Sequence, residues 1–145
     1  MTSGLPKTQK GAAAIEFALV FVIFFAVLYG LISYSLPLLL MQSFNQAAAD
    51  GVRSSVALDP ATTGYPALVI QRAKATALAQ LSWIPAPFKF LPEHVTATYD
   101  GTTLTVKIKY PSANLNAVLP ALVLPGIGKV PNLPANLTAQ SSLQF

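Results

Sequence analysis

The hydrophobic and polar positions divide the chain into an apolar N-terminal third and a mixed remainder. Between Gly11 and Met41 the only charged side chain is Glu16, and the next charge is Asp50. About 20 consecutive apolar residues suffice to cross a bilayer. The pattern therefore predicts a transmembrane helix over residues 12–41. Pro37 lacks a backbone donor, so we expect it to kink the helix or to end its membrane portion.

Helical periodicity continues beyond this segment and predicts an amphipathic extension of the same helix over about 42–57. Its apolar positions recur at intervals of three or four: Leu40, Phe44, Ala47, Ala48 and Val52. Asp50 and Arg53 are three residues apart and are expected to pair on its surface. The run Ala47–Ala49 presents small side chains, which we expect to pack inside the domain; contact with another subunit is the alternative.

A second helix is predicted over about 67–81. The residues that recur at helical spacing are Leu68, Arg72, Ala75, Leu78 and Ala79. The following segment, 82–92, contains three prolines and the aromatic residues Trp83, Phe88 and Phe90. We expect it to form a loop over the edge of the core, with a subunit contact as the alternative, since aromatics are enriched at interfaces.

Strict alternation over about 94–110 predicts a β-hairpin centred on Asp100-Gly101. A two-residue turn there pairs Tyr99 with Thr102. The same register pairs Ala97 with Leu104 and Val95 with Val106. It also places the apolar residues on one face of the hairpin: Val95, Ala97, Tyr99, Leu104, Val106, Ile108 and Tyr110. A C-terminal strand over about 137–144 is expected to extend the sheet, because an isolated hairpin is marginally stable.

Together these elements predict an α+β protein. A long N-terminal transmembrane helix continues into a soluble domain, 42–145, that contains a second helix and a small antiparallel sheet. Residues 111–136 include five prolines and are expected to be mostly irregular.

Composition and charge argue against several functions. The chain has 53% hydrophobic and 10% charged residues, no cysteine and a net charge of +4. Its nine basic residues are scattered, so no nucleic-acid groove is expected. His94 is the only histidine, which leaves neither a metal site nor a catalytic triad well supported. We expect no enzyme activity, no cofactor and no small-molecule substrate.

The polar N-terminal stub orients the predicted span. Lys7 and Lys10 precede the apolar segment and predict a cytoplasmic N-terminus with the domain exported. A secretory signal peptide is a poorer explanation, because its apolar region is typically about 7–15 residues. An uncleaved single-span anchor carrying a periplasmic binding domain is a further alternative, but it does not account for Glu16.

Glu16 is the anomaly of the apolar segment. A charge at the middle of a membrane helix costs about 2.5–3.5 kcal/mol on insertion scales. If the chain were cut after Gly11, the new amine of Ala12 would lie about one helical turn from this carboxylate. The amine of a neighbouring copy could then pair with it, although a snorkelling side chain is the simpler explanation.

Two blocks carry a family resemblance. The sequence Gly11-Ala12-Ala13-Ala14-Ile15-Glu16-Phe17 resembles the type IV prepilin cleavage signature, and GAAAIEFALV resembles the TadE/TadF-like pseudopilins of tight-adherence (Flp) pili. The block Asn45–Arg53 is similar to the one that follows the membrane helix in that family, and Leu137–Ser142 is weakly similar to its final strand. The chain departs from the family at Phe21–Ile23, where a proline is common, and at Asp50, which is more often Glu.

The resemblance implies a minor pilin or pseudopilin of a Tad (Flp) pilus. Residues 1–11 would be a leader removed between Gly11 and Ala12 by a prepilin peptidase, with Glu16 and Phe17 serving peptidase recognition and subunit assembly. Implied partners are other Tad pilins and pseudopilins, the inner-membrane pilus assembly platform and membrane lipid. The protein would be a single-pass component of the bacterial inner membrane, with a periplasmic domain, or a subunit of the pilus itself.

Overall fold

A single helix forms the axis of the molecule. The structure is a computed structural model that describes residues 8–145, with side chains from Gly11 onward. Helix α1 comprises Thr8–Ser55 and continues through Pro37 without interruption. The predicted transmembrane helix and its amphipathic extension are thus one continuous element in the structure.

The second helix lies close to its predicted position but exposes a different face. Helix α2 comprises Tyr65–Gln80. Its buried residues are Tyr65, Val69, Ala73 and Ala77, whereas Leu68, Arg72 and Ala75 on the predicted face are exposed. The residues noted at helical spacing therefore do not mark the buried face, although Leu78 among them is half-buried against the core. The buried face carries the small side chains Ala73 and Ala77, which permit the close contact with α1 described below.

Within residues 8–145 the strands form two antiparallel sheets. The larger sheet has the order β1-β2-β5, with β1 at Val95–Tyr99, β2 at Thr103–Pro111 and β5 at Asn136–Gln144. The smaller one pairs β3, Leu122–Leu124, with β4, Gly128–Val130. Short 3-10 helices at Ala86–Phe88, Pro92–His94 and Ser112–Ala117 connect these elements. The predicted hairpin and C-terminal strand are confirmed, and the fold is α+β as expected.

The register of the first hairpin differs from the prediction. Tyr99 lies opposite Leu104 rather than Thr102, so every pair is displaced by two residues along β2. The Oδ1 atom of Asp100 accepts hydrogen bonds from the backbone amides of Thr102 (2.9 Å) and Thr103 (2.7 Å). These bonds produce a wider turn than the two-residue loop. Because side chains alternate with a period of two, the displacement leaves each residue on its predicted face.

The core lies between the C-terminal half of α1, helix α2 and one face of the larger sheet. All five apolar positions predicted on the extension of α1 are buried: Leu40, Phe44, Ala47, Ala48 and Val52. The sheet contributes Val95, Leu104, Val106, Ile108, Tyr110, Leu137 and Ala139. The small residues Ala47 and Ala48 thus pack within their own domain, as expected.

A cluster of aromatic side chains packs at the edge of this core. The ring of Phe44 lies 5.8 Å from that of Phe90 and 5.7 Å from that of Tyr110, measured between centroids. The Tyr110 hydroxyl donates a hydrogen bond to the Phe88 carbonyl at 2.6 Å. The proline-rich segment therefore folds over the core edge, as predicted, while Trp83 remains 49% exposed.

Candidate processing and assembly site

The residues singled out at the N-terminus lie on the first turns of α1. From Gly11 to Phe25 every side chain is exposed. A Cβ atom built on Gly11 would have no neighbouring heavy atom within 4 Å. Lys7 lies outside the described residues, and for Lys10 only the helical backbone is described. The Gly11–Ala12 peptide bond is therefore part of a helix that no other element of the described chain covers.

Glu16 is exposed on the same helix, four residues after Ala12. Four residues correspond to a rise of about 6 Å, and helical side chains tilt towards the N-terminus. This places the carboxylate close to the level of Ala12. Within residues 11–145 no cationic side chain lies within 4.0 Å of it; the ion pair of α1 is Asp50–Arg53, at 3.9 Å near the other end. The Asp50–Arg53 ion pair was predicted from the sequence and is confirmed.

Phe17 begins a row of aromatic rings that the sequence analysis did not identify. The rings of Phe17, Phe21, Phe25 and Tyr29 follow one another with centroid separations of 6.1–6.2 Å. Their spacing of four residues is visible in the sequence and could have revealed the row. Phe17, Phe21 and Phe25 are exposed by 71%, 53% and 46%, so these three rings form an uncovered face of the helix beside the predicted cleavage site.

Two tyrosines of α1 form hydrogen bonds with the folded domain. The Tyr29 hydroxyl donates a hydrogen bond to the Pro120 carbonyl, and the Tyr34 hydroxyl accepts one from the Asn132 amide at 2.9 Å. Ser33, between them, is the first fully buried residue of α1 among those whose side chains are described. Both contacts come from the segment that follows the larger hairpin.

The uncovered portion before these contacts has the length of a membrane span. Gly11–Leu28, called here the bare segment, rises about 27 Å, close to the hydrocarbon thickness of about 30 Å. In the part of the chain that the structure describes, α1 is the one helix long and apolar enough to cross a membrane. Since its most apolar stretch is wholly unburied, α1 fits a single-pass membrane anchor rather than a core helix.

The folded domain offers structural rather than catalytic explanations for its ionisable groups. His94 accepts a hydrogen bond at Nδ1 from the Leu91 amide (3.0 Å), and its ring packs on Phe90 and Tyr110. Among residues 8–145 no group of three or more His, Cys, Asp or Glu side chains could hold a metal ion. His94 thus acts as a packing residue immediately before the start of β1.

Two pKa shifts in the domain have equally local causes. The amides of Thr102 and Thr103, with the Thr102 hydroxyl, hold the pKa of the Asp100 carboxyl below its ordinary value of 3.8. Burial raises the pKa of the Tyr110 hydroxyl above 10.0. The first shift reflects the turn and the second reflects the core, so neither marks a reaction centre.

The structure is an α+β fold whose long apolar N-terminal helix fits a single-pass membrane anchor. Residues 11–53 of the chain match the family model described as TadE-like protein. This region, less than half of the chain, is similar to the TadE-like proteins, a pilin-type structural family associated with Tad pili and not an enzyme family. The match covers the two sequence blocks that carried the resemblance and almost the whole of α1. No curated protein and no solved structure matches the chain.

Proposed function

We propose that the chain is a minor pilin or pseudopilin of a Tad pilus, processed between Gly11 and Ala12 by a prepilin peptidase. The observation that carries this proposal is the TadE-like match, which begins at Gly11 on an uncovered apolar helix. The mature protein, residues 12–145, contributes to initiation or assembly of the pilus at the inner membrane. Its partners are other Tad pilins and pseudopilins, the assembly platform and membrane lipid.

Insertion precedes processing in this proposal. Lys7 and Lys10 keep the N-terminus in the cytoplasm, because cationic flanks stay on that side of the membrane. The bare segment crosses the bilayer, and the domain folds in the periplasm. The peptidase then cuts at the cytoplasmic end of the helix, with Glu16 and Phe17 close to the peptide bond it recognises.

Processing converts the same residues into an assembly contact. Removal of the leader creates a free amine on Ala12 and takes away both lysines. The Glu16 carboxylate of one subunit pairs with the Ala12 amine of its neighbour as their bare segments pack side by side. Such pairing offsets the cost of holding each charge in an apolar environment. The aromatic row, next to Glu16 in sequence, supplies apolar contact area for this packing.

Intact-mass measurement tests the processing step. The full chain is produced in cells with and without the matching prepilin peptidase, and its mass is compared with that of a chain starting at Ala12. We expect the shorter mass only when the peptidase is present. Gly11→Val should retain the leader, while Ala13→Val, an equally exposed position, serves as the control. A retained leader in cells that contain the peptidase would favour the uncleaved anchor with a periplasmic binding domain.

Co-purification with other Tad pilins tests the assembly step. Glu16→Gln preserves the size of the side chain but removes its charge, so we expect normal membrane insertion and reduced co-assembly. Glu93→Gln, an exposed acid in the folded domain, is the matched control and should assemble normally. Normal assembly of the Glu16→Gln protein would show that the carboxylate has no pairing role.

A further inference from the structure

The β3–β4 hairpin exposes apolar side chains that the folded domain does not use. Val123 is 78% exposed, a larger fraction than for any large hydrophobic residue of the bare segment, and Ile127 at the turn is 67% exposed. Between Pro111 and Asn136 the only charged residue is Lys129. Isolated exposed hydrophobic residues are ordinary, but here two lie on one small, nearly uncharged projection.

The hairpin lies near the level at which the spanning helix leaves the hydrocarbon core of the membrane. Its two ends adjoin Pro120 and Asn132, which bond to Tyr29 and Tyr34. These tyrosines follow directly on the bare segment, where a spanning helix leaves the hydrocarbon core. Tyrosine is itself enriched at that boundary. With strands of three residues, the hairpin extends only about 10 Å, so its turn cannot lie far from this level.

Charge supports the same location. After Asp100 the sequence has no acidic residue, and its bases are Lys107, Lys109 and Lys129. Lys129 is exposed on β4 beside the apolar turn. An apolar tip with an adjacent cation suits an interface of acyl chains and anionic headgroups.

We propose that the β3–β4 hairpin inserts Val123 and Ile127 into the interfacial layer of the membrane leaflet facing the domain. It thereby forms a second, peripheral attachment beside the spanning helix. The proposal rests on the membrane anchorage contained in the proposed function. The occupant of the exposed surface is lipid, and the attachment holds the domain at one height above the bilayer.

The absence of cysteine from the chain allows a clean test with single spin labels. The variants Val123→Cys and Ile127→Cys are reconstituted as the full chain in vesicles of phosphatidylethanolamine and phosphatidylglycerol. Accessibility of each label to oxygen, which concentrates in lipid, is compared with its accessibility to a water-soluble nickel complex. Val20→Cys in the bare segment is the lipid reference, and Val56→Cys, just beyond α1, is the water reference; both positions are exposed, at 61% and 55%.

We expect the labels at 123 and 127 to favour oxygen, as the label at 20 does, and to differ from the label at 56. Labels at 123 and 127 that resemble the one at 56, with the label at 20 in lipid, would overturn the inference and leave the anchorage intact. Labels shielded from both reagents would indicate a protein contact and would also overturn it. A label at 20 in water would overturn the anchorage and the inference together.

Discussion

The carbonyl oxygen of Ala73 on α2 lies only 2.8 Å from the position that a Cβ atom on Gly51 of α1 would occupy. Ala77 on the next turn of α2 would be 3.4 Å from the same atom, and Val106 of the sheet 3.5 Å. The two helices approach this closely because Gly51 has no side chain. Gly51 therefore sets the spacing between α1, α2 and the sheet.

Gly51→Ala should destabilise the folded domain by about 1–3 kcal/mol, the typical cost of overpacking a core. The clash is with backbone, so it requires a shift of α2 rather than a side-chain rotation. The change is measured by urea unfolding in detergent, followed by fluorescence of Trp83, the only tryptophan.

Gly30→Ala is the matched control on the same helix. A Cβ atom there meets nothing within 4 Å, so only the higher helix propensity of Ala, about 1 kcal/mol, remains. This variant should be neutral or slightly stabilising. Equal unfolding midpoints for both variants would contradict the assigned role of Gly51.

Tyr110→Phe should also destabilise the domain. The substitution keeps the buried ring but removes the donor to the Phe88 carbonyl, and an unsatisfied buried acceptor costs about 1–3 kcal/mol. Tyr99→Phe removes a hydrogen bond of similar length (2.7 Å) to the exposed Gly101 carbonyl, which water can replace. The same unfolding assay should show the larger loss for Tyr110→Phe; the reverse order would refute the explanation.

Asp100 should make the first hairpin sensitive to acid. Its folded-state pKa lies below the ordinary value of 3.8 that it has in the unfolded chain, so the carboxylate stabilises the fold fully above that value. This stabilisation is lost as the pH falls through the folded-state pKa. NMR titration should show the Thr103 amide shift moving with a midpoint below 3.8. Asp100→Asn keeps an oxygen acceptor and should abolish that movement; a midpoint at the ordinary value would disprove the effect.

Tyr34→Phe should loosen the segment that carries the small hairpin. The Asn132 amide loses its acceptor, and a typical net hydrogen-bond contribution of about 1 kcal/mol corresponds to about fivefold faster hydrogen exchange. The amide of Val106, in the centre of the larger sheet, provides an internal control and should exchange at an unchanged rate. Unchanged exchange at Asn132 would show that Tyr34 does not hold this segment.

Periodicity predicted the elements of this fold, but contacts and hydrogen bonds that periodicity does not encode determined their details. The apolar face of α1 and both strand faces follow from local spacing, which depends only on helix and strand geometry. The buried face of α2 depends instead on the missing side chain at Gly51. The hairpin register depends on which amides the Asp100 carboxylate accepts. The first relationship joins two different helices and has no signal in a local window of sequence. The second is local, but alternation alone does not specify which amides the carboxylate accepts.

In the candidate site, too, some features follow from the local sequence and others do not. The roles proposed for Gly11, Ala12 and Glu16 rest on their order along the chain, because the proposed cleavage and charge pairing involve residues within two helical turns. The two tyrosine contacts could not, since each joins residues more than 90 positions apart in sequence. The β3–β4 hairpin was likewise missed, because its three-residue strands are too short to establish an alternation.

The continuity of α1 has a geometric consequence for any assembly of this protein. The bare segment and the core belong to one continuous helix. The direction in which the domain faces is therefore fixed by the rotation of the bare segment about the helix axis. One residue inserted before Tyr29 would turn the domain by about 100° and raise it by 1.5 Å relative to Glu16. In the proposed assembly, the side of the domain that faces outward would therefore be determined by whichever face of the bare segment contacts its neighbours.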